Sequence, residues 1–171
     1  MRISVLERTQ RVSRDLDQVF AFFADPQNLA AITPPWLEFR IVEAPPKVYP
    51  GALIRYRLRL KGVPIRWLTE IKEWQPRRSF TDVQRVGPYR LWEHTHRLAV
   101  VPEGTEIYDH VRYRVPGGPL ARLVERFVRQ MLDEIFDYRA RQVAELFAVG
   151  RDEVEGARRR GHTRPKEERD R

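Results

Sequence analysis

The spacing of apolar and polar positions changes three times along this chain, and each change marks a new kind of element. From Ile3 to Val12 the two classes alternate loosely, as a strand with one covered face requires. Leu16, Val19, Phe20 and Phe23 then fall three and four apart, which predicts a short helix. Ser13 is placed to cap it, with Asp15 and Asp17 favourable in its first turn. Asp25-Pro26 closes that helix and opens a second short one through Leu29 and Ile32, because proline fits the first helical position. Thr33-Pro34-Pro35 forbids its continuation.

From Glu38 the period is two. Strands are predicted at 38–43, 53–60, 65–74, 79–86, 91–101 and 106–115. Pro45-Pro46 with Pro50-Gly51, Lys61-Gly62-Val63-Pro64, Gln75-Pro76, Gly87-Pro88 and Pro102-Glu103-Gly104 separate them. Connections this short imply an antiparallel meander. After Pro116-Gly117-Gly118-Pro119 the spacing becomes helical for good. Leu120, Leu123, Val124, Phe127, Met131, Ile135, Tyr138, Val143 and Leu146 trace one broad face to about Phe147. At 1.5 Å per residue that helix is roughly 40 Å long. It needs a large apolar partner, and the concave face of a twisted sheet is the one on offer. The fold class is therefore α+β: a seven-stranded antiparallel sheet curved around a long C-terminal helix, with two short helices after the first strand.

Alternation also sorts each strand into faces. Arg55, Arg57 and Arg59 point one way, so Ile54, Tyr56, Leu58 and Leu60 point inward. Ile65, Trp67, Thr69 and Ile71 face inward opposite Arg66, Glu70 and Lys72. On the last strand Ile107, Asp109, Val111, Tyr113 and Val115 lie opposite Arg112 and Arg114. A two-residue turn at Glu103-Gly104 sets Leu98 across from Asp109, His96 across from Val111 and His94 across from Tyr113. The inward surface thus carries Asp82, Gln84, His94 and His96 among Phe80, Trp92 and Leu98. A polar group there is costly unless it is paired, so the mixture suits a small-molecule cavity.

Composition narrows the picture. One domain over residues 1–147 has enough apolar content for a core. Residues 148–171 hold almost no apolar side chains, and disorder is expected there. No apolar run approaches the roughly 20 residues that span a bilayer, and none follows Met1 as a signal peptide requires. Transient membrane contact stays open, and a cytoplasmic location is the default expectation. The absence of cysteine excludes disulfides, thiolate nucleophiles and cysteine-ligated metals. The net charge of +8 comes from 32 basic and 24 acidic residues spread along the chain. Arg158-Arg159-Arg160 is interleaved with Glu155, Glu167, Glu168 and Asp170, which argues against a phosphate-binding arm. No nucleic-acid motif accompanies the charge, so no nucleic-acid partner is expected.

This order of elements, with Phe22-Phe23-Ala24-Asp25-Pro26, Ile32-Thr33-Pro34-Pro35-Trp36, Gly87-Pro88-Tyr89 and Trp92-x-His94-x-His96, resembles the SRPBCC superfamily over residues 1 to about 147. That helix-grip group includes START lipid-transfer domains, birch-pollen-allergen-like proteins and polyketide cyclases or aromatases. The chain looks most like bacterial cyclase/dehydrase-like or ligand-binding members. The resemblance implies a cavity between sheet and C-terminal helix for a lipid, an isoprenoid or quinone, or a polyketide-like molecule.

Three turns, at 61–64, 87–89 and 116–119, share one rim of a meander. The resemblance makes that rim the cavity entrance, joined by the loop at 33–36. Trp36 and Tyr89 become its gate residues. The expected lining is Tyr56, Trp67, Trp92, Tyr113, Phe127 and Met131, with Gln84, His94 and His96 at the polar end. Phe20 and Phe23 are assigned to the core. An alternative gives His94 a general acid/base role beside Asp82 or Asp109 in cyclase, aromatase or dehydratase chemistry. The His-x-His pair also suits a metal with Asp82 or Asp109 as a third ligand. Hydrogen bonding accounts for such a pair more often, and no metal or cofactor is assigned from sequence.

Overall fold

A computed structural model describes residues 3–117 and 121–148. Seven strands form one antiparallel sheet: β1 (Ser4–Val12), β2 (Arg40–Glu43), β3 (Leu53–Leu60), β4 (Val63–Gln75), β5 (Ser79–Val86), β6 (Leu91–Val101) and β7 (Gly104–Arg114). Their order is β1-β7-β6-β5-β4-β3-β2, so the meander closes by bringing the first strand beside the last. Helix α1 (Leu16–Ala24) and two single-turn 3-10 helices (Pro26–Leu29 and Pro35–Leu37) follow β1, and the long helix α2 (Ala121–Ala148) follows β7. The fold is the α+β helix-grip arrangement that the spacing predicts. The tail at 149–171, and with it the expected disorder, lies outside the described residues. No described helix is long and apolar enough to cross a membrane.

The two-residue period does most of the work. Along β7, Thr105, Ile107, Asp109, Val111 and Tyr113 are buried, and every intervening residue is half-buried. On β3 the three arginines are exposed while Ile54, Tyr56 and Leu58 turn inward. Three apolar clusters result. Leu6, Val111, Tyr113, Val128, Leu132 and Phe136 close one end of the interior. Val12, Val19, Ile32, Leu98, Ile107 and Val143 close the other. Val48, Ala52, Ile54, Ile71 and Phe80 hold the flank under the long β2–β3 connection. Each fully buried aliphatic side chain contributes about 1.5–3 kcal/mol, and together these clusters wall the interior without filling it.

Three sequence expectations are corrected. The β6–β7 turn is Pro102-Glu103, because Val101 pairs with Gly104. Leu98 therefore faces Ile107, His96 faces Asp109 and His94 faces Val111. Gly104 has φ 138° and passes so close to β1 that a Cβ would lie 2.2 Å from the Val12 carbonyl oxygen, so glycine must open β7 there. The pairing moves by two residues, which leaves every inward side chain inward.

The N-cap of α1 is Asp15 instead of Ser13. Ser13 belongs to the tight turn off β1, where the Arg14 N–H donates to the Val12 carbonyl at 2.9 Å.

Helix α2 is rotated from the face read in the sequence. Val128, Leu132, Phe136 and Val143 are buried, whereas Leu123, Phe127 and Leu146 are exposed. The helix has more apolar positions than one face can hold. Polar ties to β1 settle the rotation: Arg8 pairs with Asp133 at 2.5 Å, and Gln10 Nε2 donates to the Ala140 carbonyl at 2.6 Å.

Candidate functional site

Between the sheet and α2 lies a cavity of about 430 Å³. Of the side chains expected there, Tyr56, Trp67, Trp92, His94, His96 and Met131 line it, together with Asp82 and Tyr89. The others do not reach it. Gln84 spends its amide on the β5–β6 turn, where Nε2 donates to the Tyr89 carbonyl at 2.8 Å and Oε1 accepts from the Tyr89 N–H at 3.2 Å. Tyr113 is sealed in the cluster with Leu6 and Val128. Phe127 faces outward with Lys61 Nζ 4.8 Å above its ring, which follows from the rotation of α2. Trp36 is 52% exposed and lays its ring against Tyr138 at 5.4 Å, so it ties the 33–36 loop to the helix from outside the lining. Thr33, Leu60, Pro88 and Pro116 belong to the lining and come from the loops and strand ends of the expected rim.

Phe23 and Arg139 are among the lining residues that the sequence does not announce. Phe23 was assigned to the core, yet its ring lies in the cavity wall, 5.9 Å from the His96 ring. Phe20 packs on Trp74 at 5.0 Å and stays outside. Arg139 lines the cavity from α2, with its guanidinium 5.3 Å from the Phe23 ring and 5.9 Å from Phe136. The available signal was an arginine four residues after Ile135 and three after Phe136, on the buried stripe itself.

The walls are mostly apolar because their polar handles are already engaged. The Trp67 indole N–H donates to Thr69 Oγ1 at 3.0 Å, and the Tyr56 hydroxyl lies 3.4 Å from the same oxygen. Trp67 stacks on Tyr56 and meets Trp92 and Tyr89 edge-on. Burial pushes the Tyr56 hydroxyl well above its ordinary pKa and raises that of Tyr89 as well.

Ionisable chemistry gathers at one end. Strand register puts Asp82 opposite His94 and His96 opposite Asp109, all on the concave face. Asp109 Oδ1 sits 2.9 Å from His94 Nε2 and 2.8 Å from His96 Nδ1. The first is a hydrogen bond; the second is a close contact off the hydrogen-bond direction, which leaves His96 Nδ1 buried without an aligned partner. The other nitrogens, His94 Nδ1 and His96 Nε2, lie 3.6 and 3.5 Å from Asp82 Oδ2. Arg139 Nη2 is 4.0 Å from Asp109 Oδ1. Phe80 stacks on His96, and Phe136 meets His94 edge-on.

Burial, and then the neighbouring His96 ring, pull the His94 pKa below that of a free imidazole. Burial also opposes charge on His96, but the Asp109 and Asp82 carboxylates outweigh it and raise its pKa. Asp109 would rise on burial alone; Arg139 and both rings hold it well below the usual carboxylate range. Asp82, His94 and His96 each offer one ligand atom, all within 4.8 Å of one another.

Known proteins share this sheet-and-helix fold. Residues 5–148 match the family described as polyketide cyclase / dehydrase and lipid transport. The chain belongs to this family. Among solved structures, this family member superposes on the Zhui aromatase/cyclase from Streptomyces sp. R1128 with a TM-score of 0.71 at 15% identity, over 86% of this chain and 94% of that one. Ara h 8.0201 gives a TM-score of 0.59 at 18% identity, over 81% of this chain and 96% of the other. Major latex-like protein 151 from Panax ginseng gives 0.61 at 13% identity, over 85% and 97%. Identities this low establish the SRPBCC-type fold alone. No curated protein matches the sequence.

Proposed function

We propose that this protein binds one small hydrophobic molecule in the sheet–helix cavity and works as a carrier or sensor for it. One observation carries the reading: an interior space of about 430 Å³ has mostly aromatic and aliphatic walls and a cluster of Asp82, His94 and His96 in its lining. That volume lies within the range of drug-sized ligand pockets, and the asymmetry suits a molecule with an apolar body and one polar head. Trp67, Trp92, Tyr56, Phe23 and Met131 supply the apolar contact. His94, with Asp82, Asp109 and His96 around it, receives the carbonyl or hydroxyl. Tyr89 stands at the entrance. A lipid, an isoprenoid or quinone, or a polyketide-like compound fits this description, and the protein acts in the cytoplasm.

A second reading is favoured by the 2.9 Å His94–Asp109 contact. A histidine kept neutral by burial and oriented by a carboxylate is a suitable general base for a cyclase or dehydratase acting on a carbonyl compound. Native mass spectrometry of the protein purified from its own host tests the first reading. A stoichiometric co-purified lipid or isoprenoid is expected. A polyketide-like product would favour the second, and failure to take up any apolar probe would sink both.

A further inference from the structure

We propose that Asp82, His94 and His96 form a three-ligand site for a divalent transition-metal cation, of the zinc or ferrous-iron class, open toward the cavity. The first argument is spacing. An ion held at about 2.0–2.1 Å by tetrahedrally arranged donors sets those donors about 3.4 Å apart. Asp82 Oδ2 lies 3.6 Å from His94 Nδ1 and 3.5 Å from His96 Nε2, so two of the three donor pairs already stand near that separation, and all three donors lie within 4.8 Å of one another.

The second argument is orientation. Metal-bound histidines turn their remaining nitrogen toward a carboxylate or carbonyl, which fixes the tautomer and the ring plane. Here Asp109 Oδ1 hydrogen-bonds His94 Nε2 at 2.9 Å and lies 2.8 Å from His96 Nδ1, off that ring's hydrogen-bond direction. Donation from His94 Nε2 to Asp109 leaves the lone pair on His94 Nδ1, 3.6 Å from Asp82 Oδ2, and His96 Nε2 lies 3.5 Å from the same oxygen. Among the described residues the two imidazoles are the only ion-pair partners of Asp82. Unprotonated ring nitrogens this close to a carboxylate in a largely buried place repel it until a proton or a metal cation sits between them.

The third is charge. Asp82 and Asp109 contribute two negative charges, and the nearest fixed cation, Arg139, stands 4.0 Å from Asp109. Without a proton on either ring the cluster lacks one positive charge among the walls of Phe23, Phe80 and Phe136, which a proton on His96 or a bound cation would supply. A divalent ion reverses that sign. On the cavity-binding reading, its remaining position would receive an anionic oxygen such as an enolate, phenolate or carboxylate of the ligand.

The test uses the full-length chain without an affinity tag, stripped with a strong chelator and shown to be folded by circular dichroism. Zn²⁺ is titrated calorimetrically and Co²⁺ by visible absorption. One ion per chain is expected, with Co²⁺ bands of a four- or five-coordinate N/O site. Asp82→Asn should weaken binding by at least tenfold, and Asp109→Asn, which acts through the rings, by about 10–100-fold. Absence of stoichiometric binding by the stripped parent overturns the proposal, whatever the variants do. So does binding that survives unchanged in Asp82→Asn/His94→Gln/His96→Gln, since the ion then sits elsewhere. Uptake of an apolar fluorescent probe by the stripped protein is measured separately. Probe binding without metal binding removes the metal site and leaves the cavity reading standing; metal binding without probe uptake does the reverse.

Discussion

His94 Nε2 meets Asp109 Oδ1 at 2.9 Å although the two residues are not cross-strand partners; Asp109 pairs with His96. The contact runs diagonally across the β6–β7 ladder, within the reach of a long side chain on an antiparallel sheet. It makes His94 the residue that separates a carrier from a catalyst. His94→Gln keeps much of the volume and some hydrogen bonding but cannot cycle a proton near neutral pH. A carrier should keep its ligand affinity within about tenfold, or ~1.4 kcal/mol. A general acid/base contributes about 10²–10⁴ in rate, so a catalyst should lose turnover while still binding. Tryptophan fluorescence for affinity, paired with mass spectrometry for conversion, reads both; we expect retained affinity and no conversion by either protein.

Filling the cavity should abolish uptake without unfolding the chain. Ile135 lines it from the middle of α2. Ile135→Trp is expected to lower apolar-probe affinity by more than about tenfold, or ~1.4 kcal/mol, with a cooperative melt retained. Undiminished uptake in a folded variant would place the binding site elsewhere.

The rotation of α2 is open to a paired test. Phe136 is 5% exposed and Phe127 is 37% exposed. Phe136→Ala should cost about 3–5 kcal/mol in urea unfolding, in the range for buried aromatics. Phe127→Ala should cost under about 1 kcal/mol, as surface changes usually do. Equal losses would mean that the helix presents a different face to the sheet.

Alkaline pH should uncouple the walls. Burial raises the Tyr56 and Tyr89 hydroxyls above their ordinary value, so the folded state holds these protons more tightly than the unfolded chain. Stability from that source is intact below about pH 10 and declines as pH climbs from there toward the folded-state values. Tyrosinate absorbance at these positions should therefore appear together with loss of circular dichroism. Tyr56→Phe/Tyr89→Phe should flatten the alkaline decline; free ionisation near pH 10 with the fold intact would contradict it.

Much of this architecture was legible because the sheet has a simple period. Proline and glycine mark its turns, and a one-residue error would have thrown Arg55, Arg57 and Arg59 inward, so the faces were fixed even where the β6–β7 turn was misplaced. Helix α2 was harder to read. Its apolar residues cover two adjacent stripes, and the choice between them rests on Arg8 and Gln10, which lie far away in sequence. That displaced Phe127 from the site and hid Arg139. Gln84 and Tyr113 were read correctly as inward, but facing inward does not decide between reaching a cavity and being spent on a turn or a core. His94 and His96 were visible as a pair. Asp82 and Asp109 were visible as their carboxylate partners, but that a single Asp109 oxygen meets both rings was not, because it depends on a register that the turn prediction placed two residues away.

The pairing of β1 with β7 also bears on the order of assembly. Arg8 and Asp133, which tie the first strand to the last helix, are 125 residues apart in the chain. Such closures are entropically late and make folding slow. On a ribosome, β1 would emerge long before either of its partners exists. The apolar side of the half-built sheet would stay wet until α2 has been made and can dock. The chamber has its second wall only once α2 has docked, because Met131, Ile135 and Arg139 line it from that helix.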